Sequence, residues 1–272
     1  MSALPGGLRK ALAFLRRDYL IESSYPLAFI TSSFNALVVV FLFYYVGKLV
    51  DPAQPGLRRF GADYFSFTFV GYVFFLYFDQ ALGSFSRAVQ REQSTGSFEA
   101  MLATQTAPAF CVLMSSFYYL LYAGAQLTLL IAAGACFGVD FSRADLPAAL
   151  LVFFLAVTTF TSLGLLSACS IIVLKRGDPL GWLLTTSNFV LGGAFFPVEV
   201  MPRWLQTVAL LSPARYALEG LRLALLQGAT PAGVARQLAV LGGITLVAGP
   251  LSIWALLAAL RKAQRDGSLI HH

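Results

Sequence analysis

Arg87-Ala88-Val89-Gln90-Arg91-Glu92-Gln93-Ser94-Thr95-Gly96-Ser97-Phe98-Glu99-Ala100-Met101-Leu102-Ala103-Thr104 is a polar island between two very apolar stretches. Thr95 and Ser97 are good helix caps, and Glu99 can reach back toward a helix N-terminus. Phe98, Met101 and Leu102 fall at i, i+3 and i+4, so a short helix here carries one apolar face. On these residues alone two readings stand: a plain surface connector between membrane helices, or a helix that docks on a partner.

The composition outward from the island is that of a membrane protein. Hydrophobic residues make up 58% of the 272-residue chain and charged residues 12%, about half of the roughly one-quarter usual in soluble domains. That leaves room for one membrane domain of several spans and little else. The formal charge of +6 comes from small basic groups beside apolar runs, a pattern of orientation signals and headgroup contacts rather than of nucleic-acid binding. Cys111, Cys136 and Cys169 are scattered inside apolar runs and form no disulfide framework. His271 and His272 are the only histidines, which argues against a His-based metal site.

Six stretches are long enough to cross a bilayer core, which takes about 20 apolar residues: 26–46, 64–85, 109–137, 146–174, 179–196 and 237–260. Pro26 and Pro147 suit helix starts, Asp178 is placed to cap the fifth stretch, and Pro250 beside Gly249 predicts a kink in the last. Residues 1–25 hold no uncharged core for a cleavable signal. Leu8, Leu12, Leu15 and Tyr19 share one helical face there, and Arg9, Lys10, Arg16 and Arg17 lie elsewhere, which predicts an interfacial helix with its charges toward headgroups. With the N-terminus inside, Arg9, Lys10, Arg16, Arg17, Arg87, Arg91, Lys175, Arg176, Arg261, Lys262 and Arg265 are cytoplasmic, the larger share of the basic residues.

Residues 197–236 form the second informative segment. It contains Phe195-Phe196-Pro197-Val198-Glu199-Val200-Met201-Pro202-Arg203-Trp204 and Leu211-Ser212-Pro213-Ala214-Arg215-Tyr216-Ala217-Leu218-Glu219-Gly220-Leu221-Arg222. Its apolar pieces are too short to span, and such backbone survives at membrane depth only when buried in protein or lining a cavity. The alternative is an extracellular loop with two surface helices. Arg215, Glu219 and Arg222 stand at i+4 and i+3 spacing, enough for a charge ladder on one helix face.

Both segments carry a family resemblance. Gly96-Ser97-Phe98-Glu99-x-Met101-Leu102-x-Thr104 resembles the Gly-Thr-Leu-Glu-x-Leu-Leu-x-Thr-Pro signature of type-two ABC exporter permeases, with Gln105 where the family has Pro, and Pro108 three residues on. The block from Gly192 is similar to the family's Gly-x-x-Phe-Phe-Pro-x-x-x-Met-Pro-x-Trp…Leu-x-Pro-x-x-Tyr-x-x-Glu-x-Leu-Arg pattern. The resemblance implies an all-α membrane protein: an interfacial helix at 1–25, a six-span transmembrane domain at 26–262 and a cytosolic tail at 263–272. Within that domain it implies a cytosolic coupling helix at 87–106 and re-entrant or external helices at 197–235 that cap the exit. Arg91, Glu92, Gly96, Ser97, Phe98, Glu99, Met101 and Leu102 would then contact a separate ATPase subunit. Asn35, Asp79, Asn188, Phe195 and Phe196 would line the substrate route, because in the family the first, second and fifth spans do. Glu199, Arg215, Tyr216, Glu219 and Arg222 would form the outer cap. The expected assembly is a homodimer with two ATPases, in the plasma (inner) membrane with both termini cytoplasmic.

Other polar groups read more plainly. Asp79, the one acid well inside a span, is either a polar contact on the route or a proton site, or else a carboxylate near the inner interface tied to Gln80, Ser84 or a basic neighbour. Gln126, Thr158, Thr159, Thr161 and Ser162 read as interhelical glue. The aromatic crowd at 65–78 reads as lipid-facing and packing surface, with a ligand cage as the alternative. No G-x-x-x-x-G-K-[ST] loop exists, so ATP and Mg would sit on the partner and no cofactor on this chain. No catalytic constellation is evident. The expected function is export of a lipophilic or amphipathic small molecule or lipid. Export of lipid-linked polysaccharide is the main alternative; an intramembrane enzyme and a channel or passive scaffold are more remote ones.

Overall fold

The computed structural model describes residues 6–23, 26–50, 63–94, 108–174 and 177–265. All regular structure among them is helical. In chain order the helices are α1 (Gly6–Ser23), α2 (Pro26–Gly47), α3 (Tyr64–Ser94), α4 (Pro108–Cys136), α5 (Leu146–Leu174), α6 (Pro179–Leu191), α7 (Arg203–Ala209), α8 (Pro213–Leu226) and α9 (Ala235–Arg265), with a 3-10 turn at Val198–Val200. Proline opens α2, α4, α6 and α8 and is the second residue of α5, where its missing N–H costs nothing and its fixed φ suits a first turn.

Five of these helices, α2, α3, α4, α5 and α9, are long and apolar enough to cross a membrane. They coincide with five of the six expected stretches. The remaining stretch, 179–196, forms a helix of only 13 residues that stops at Leu191. At 1.5 Å per residue that is about 20 Å, short of the roughly 30 Å hydrocarbon core. The stop has a local cause. Gly192 caps the helix and Gly193 takes φ +66, turning the chain back. The start agrees with expectation: the Asp178 side chain accepts from the Gly181 N–H at 2.8 Å and from the Ser167 hydroxyl.

α3 is the axis of the bundle. Its apolar window is 83% buried, against 17% for α2 and 22% for α9. The aromatic residues at 65, 67, 69, 72, 74, 75, 77 and 78 are all buried, so they are packing surface inside the bundle and not lipid-facing. Phe78 stacks on Phe160 of α5 with centroids 5.0 Å apart. α5 in turn packs along α9, where the Thr159 and Thr245 hydroxyls meet at 2.7 Å. Thr158, Thr161 and Ser162 bond back to carbonyls of their own helix instead.

α8 is no surface helix. Twelve residues from Pro213 to Leu226 are buried, against α3, α5, α6 and α9. α7 and its flanks are different, with Trp204, Leu211 and Val200 exposed. At the N-terminal end α1 packs on α4. Arg17 pairs with the buried Asp18 at 2.8 Å and reaches Ser115 of α4 at 3.3 Å, while Leu12, Tyr19, Leu20 and Ile21 are exposed. Arg17 therefore does not point to headgroups as its helical position suggested, because a buried carboxylate and a hydroxyl hold it on α4.

Candidate functional site

A cavity of about 460 Å³ opens between α2, α3 and α4; most of its lining residues carry a polar side-chain group, set in walls that Ala36, Leu76 and the tyrosine rings keep more apolar than polar. Ser32 and Asn35 come from α2, Asp79, Gln80 and Arg87 from α3, and Tyr118, Tyr119, Tyr122 and Gln126 from α4. Two of the neutral amides pair across the α3–α4 seam: Gln80 Nε2 donates to Gln126 Oε1 at 2.8 Å. Ser32 and Tyr122 share a hydrogen bond of 3.1 Å across the α2–α4 seam, where Phe29 meets the Tyr122 ring edge-on.

Two opposite charges face this space. Thr185 of α6 donates to Asp79 Oδ1 at 2.8 Å. Arg87 sits two turns further along α3, but its side chain folds back. One guanidinium nitrogen donates to the Gln80 carbonyl at 2.6 Å, and the group lies 5.7 Å from the Tyr119 ring centre. The path is open because residue 83 is glycine: a Cβ there would stand 2.3 Å from Arg87 Nη1. The fold-back brings the positive charge near Asp79, close enough for the two to interact electrostatically without forming a direct ion pair. The sequence placed Arg87 among the orientation charges and at the head of the 87–106 segment, and offered Asp79 a basic neighbour without naming it. The signal for the fold-back is Gly83, one turn before the arginine.

At the opposite end of α3 the buried Arg222 of α8 gathers the chain that follows α6. It donates to the carbonyls of Phe67 (3.1 Å), Gly193 (2.9 Å) and Ala194 (2.8 Å), and its guanidinium lies 3.5 Å from the Phe67 ring centre. Arg222, Glu219, Arg215 and Glu199 line one small cavity of about 20 Å³, enough for about one water. Arg215 bonds the Gln206 carbonyl at 3.3 Å and Tyr216 the Leu210 carbonyl at 3.0 Å. The expected ladder is thus a clamp on backbone carbonyls as much as a row of charges.

The residues expected on a substrate route separate in space. Asn35 and Asp79 share the α2–α4 cavity. Asn188 does not; it is buried, accepting from Ser212 at 2.8 Å and donating to Leu184 O at 2.9 Å, which ties α6 to the start of α8. Phe195 stacks on Phe43 at 5.1 Å, and Phe196 is exposed. Of the coupling residues, Arg91 is near the end of α3 with Nη1 3.5 Å from the Tyr119 hydroxyl, and Glu92 follows it on the helix. Gly96, Ser97, Phe98, Glu99, Met101 and Leu102 lie outside the described residues.

A family profile described as "ABC-2 type transporter" matches residues 12–226, which include the whole of the cavity and of the Arg222 clamp. Among curated proteins no match is found.

Proposed function

The chain belongs to the ABC-2 type transporter family of ABC transporter permeases, and from that premise we propose that it is the membrane half of an ATP-driven exporter of amphipathic molecules. The observation that carries the choice of substrate is the α2–α4 cavity, an amphipathic space that both Asp79 and Arg87 line. Ionisable groups at such depth are costly and mark substrate pathways or internal partners. Most buried aromatics of α3 pack on one another, and the tyrosines that line the cavity, Tyr72, Tyr118, Tyr119 and Tyr122, sit in one space of about 460 Å³, a size that suits a small amphiphile better than a lipid-linked glycan.

The remaining parts take roles consistent with that reading. Two copies of the chain associate with two ATPase subunits, which hold ATP and Mg. Residues 95–104 press on the ATPase, with Phe98 as apolar anchor and Glu99, Gly96 and Arg91 around it. α6 crosses only part of the bilayer, and α7 and α8 return through its outer half as the sixth, broken crossing. Backbone of this kind is tolerated because α8 is buried in protein. The Arg222 clamp then holds the outer cap. ATP-driven closure of the ATPases biases a two-state arrangement of the halves and opens the route past that cap.

Co-purification tests the assembly. The permease, co-expressed with an ABC ATPase chain, is expected to form a stable complex whose ATP hydrolysis in vesicles rises with lipids or hydrophobic cations. Stimulation by lipid-linked oligosaccharide alone makes it a glycan exporter, and failure to bind any ABC ATPase removes the transport reading.

A further inference from the structure

A second cavity, of about 420 Å³, adjoins the polar one on the other side of the α2–α4 seam. Its walls are almost wholly apolar, with Leu15 of α1, Phe29 of α2 and Leu121 and Ala125 of α4. Tyr118 and Tyr122 line both spaces. These two tyrosines therefore stand at the border of the chamber and the groove, and Tyr122 shares a hydrogen bond with Ser32 there.

We propose that chamber and groove are one binding site for a zwitterionic amphiphile, its ammonium toward Asp79, its phosphate or carboxylate toward Arg87, and its apolar part in the groove. This names the ligand class of the exporter proposed above, and rests on that reading for the step from binding to transport. The argument is charge complementarity. Asp79 and Arg87 face one cavity without pairing directly. An anion alone meets Asp79 and a cation alone meets Arg87, so each is opposed by a like charge in a site of reduced dielectric. A neutral head adds no counter-charge to the partners the chain already gives Asp79 and Arg87. A head carrying both signs satisfies the two together, and Asn35 and Tyr119 offer further hydrogen bonds beside them.

The two halves of the ligand contribute differently. An apolar chain leaving the bilayer for the groove exchanges one apolar surrounding for another, so it gains little from burial. The groove positions the chain, and the bilayer concentrates it beside the chamber. Selectivity comes from the head. Loss of one charge-assisted contact in such a site lowers affinity by about tenfold or more.

Native mass spectrometry of the full-length chain in micelles tests this with three added amphiphiles: phosphatidylethanolamine, phosphatidylglycerol and an alkyltrimethylammonium. Phosphatidylethanolamine is expected to be retained about tenfold better than the other two. Asp79→Asn, which keeps the size and the Thr185 contact, and Arg87→Gln are each expected to abolish that preference. Gly83→Ala is the check should Arg87→Gln fail to fold, since it displaces the guanidinium without removing it. Ala125→Trp, filling the groove, is expected to lower retention of the lipid. Equal retention of all three amphiphiles, or an unchanged preference in Asp79→Asn and Gly83→Ala, overturns the site. So does displacement of the lipid by soluble phosphoethanolamine at comparable concentration, because the head would then suffice without the groove. Retention of the lipid without ATP-driven movement upholds the site and overturns the exporter. ATP-driven export of another compound with no lipid preference does the reverse.

Discussion

Two glycines of α3 carry opposite consequences for the same small change. At Gly71 a Cβ would stand 2.1 Å from the Ala194 carbonyl oxygen and 2.1 Å from Arg222 Nη2. One of those neighbours is backbone held by the clamp, so Gly71→Ala is expected to cost roughly 1–3 kcal/mol of stability and to lower the thermal unfolding midpoint. At Gly83 the nearest atoms are the end of the flexible Arg87 side chain. Gly83→Ala is therefore expected to leave the midpoint nearly unchanged while altering ligand selectivity. An equal loss of stability in both variants would show that the clamp yields as readily as the Arg87 side chain, or that Arg87 is as firmly held as the clamp. Arg222 itself is the larger test. Arg222→Ala leaves the buried Gly193 and Ala194 carbonyls without their donor, each costing about 1–3 kcal/mol, while the Phe67 carbonyl keeps its place in the α3 hydrogen-bond ladder. Arg222→Lys is expected to recover only part of this, because an ammonium lacks the planar fork that reaches carbonyls of two elements at once. Recovery to full stability with lysine would reduce the clamp to a point charge.

Among elements, α6 and the segment after α3 bear most on how the exporter would work. α6 ends where Gly193 adopts φ +66, a conformation that costs an L-residue with a Cβ about 1–2 kcal/mol. Val198 Cγ2 also lies 2.8 Å from a Cβ built there. Gly193→Ala is thus expected to loosen the return of the chain toward α8, read as faster proteolysis in the 192–212 region of the folded protein. Unchanged protease resistance would mean that the turn is held by the clamp alone. The segment after α3 makes its prediction through the partner. Phe98→Ala is expected to lower transport per ATP hydrolysed by about tenfold or more, the usual consequence of removing a central apolar anchor, with the permease still folded. Normal coupling in Phe98→Ala would return residues 95–104 to the role of a plain connector.

At the scale of the whole molecule the prediction is topology. With Cys111, Cys136 and Cys169 replaced by alanine, Ser94→Cys and Thr230→Cys place one thiol at each end of the bundle. In intact cells an impermeant maleimide is expected to label Thr230→Cys and to spare Ser94→Cys until the membrane is opened. Labelling of Ser94→Cys from outside would invert the orientation and take the coupling segment away from any cytosolic ATPase. The inverse labelling of both thiols would also turn the Arg87 end of the α2–α4 cavity from the inner side to the outer, since in α3 Asp79 is the midpoint and Arg87 lies between it and Ser94.

The all-helical character, the five long apolar helices and the cap at Asp178 were legible in the sequence because each follows from local chemistry. An uncharged run of sufficient length has one low-energy state in lipid, and a carboxylate before Pro179 has one set of N–H groups to accept from. Asp79 and Arg222 could be marked as costly charges on the same grounds. Their partners could not, because those partners are distant in sequence: Thr185 for Asp79, and the carbonyls of residues 67, 193 and 194 for Arg222. Nor could the composition of 65–78 say which way its rings face, since an aromatic residue is equally at home against lipid and against another ring. Burial of α3 at the axis answered that, and burial of Asn188 removed it from the cavity that Asn35 and Asp79 share. What only the tertiary structure decided is the cavity itself, because a polar chamber with two unlike charges exists only when three helices from separate parts of the chain close around it.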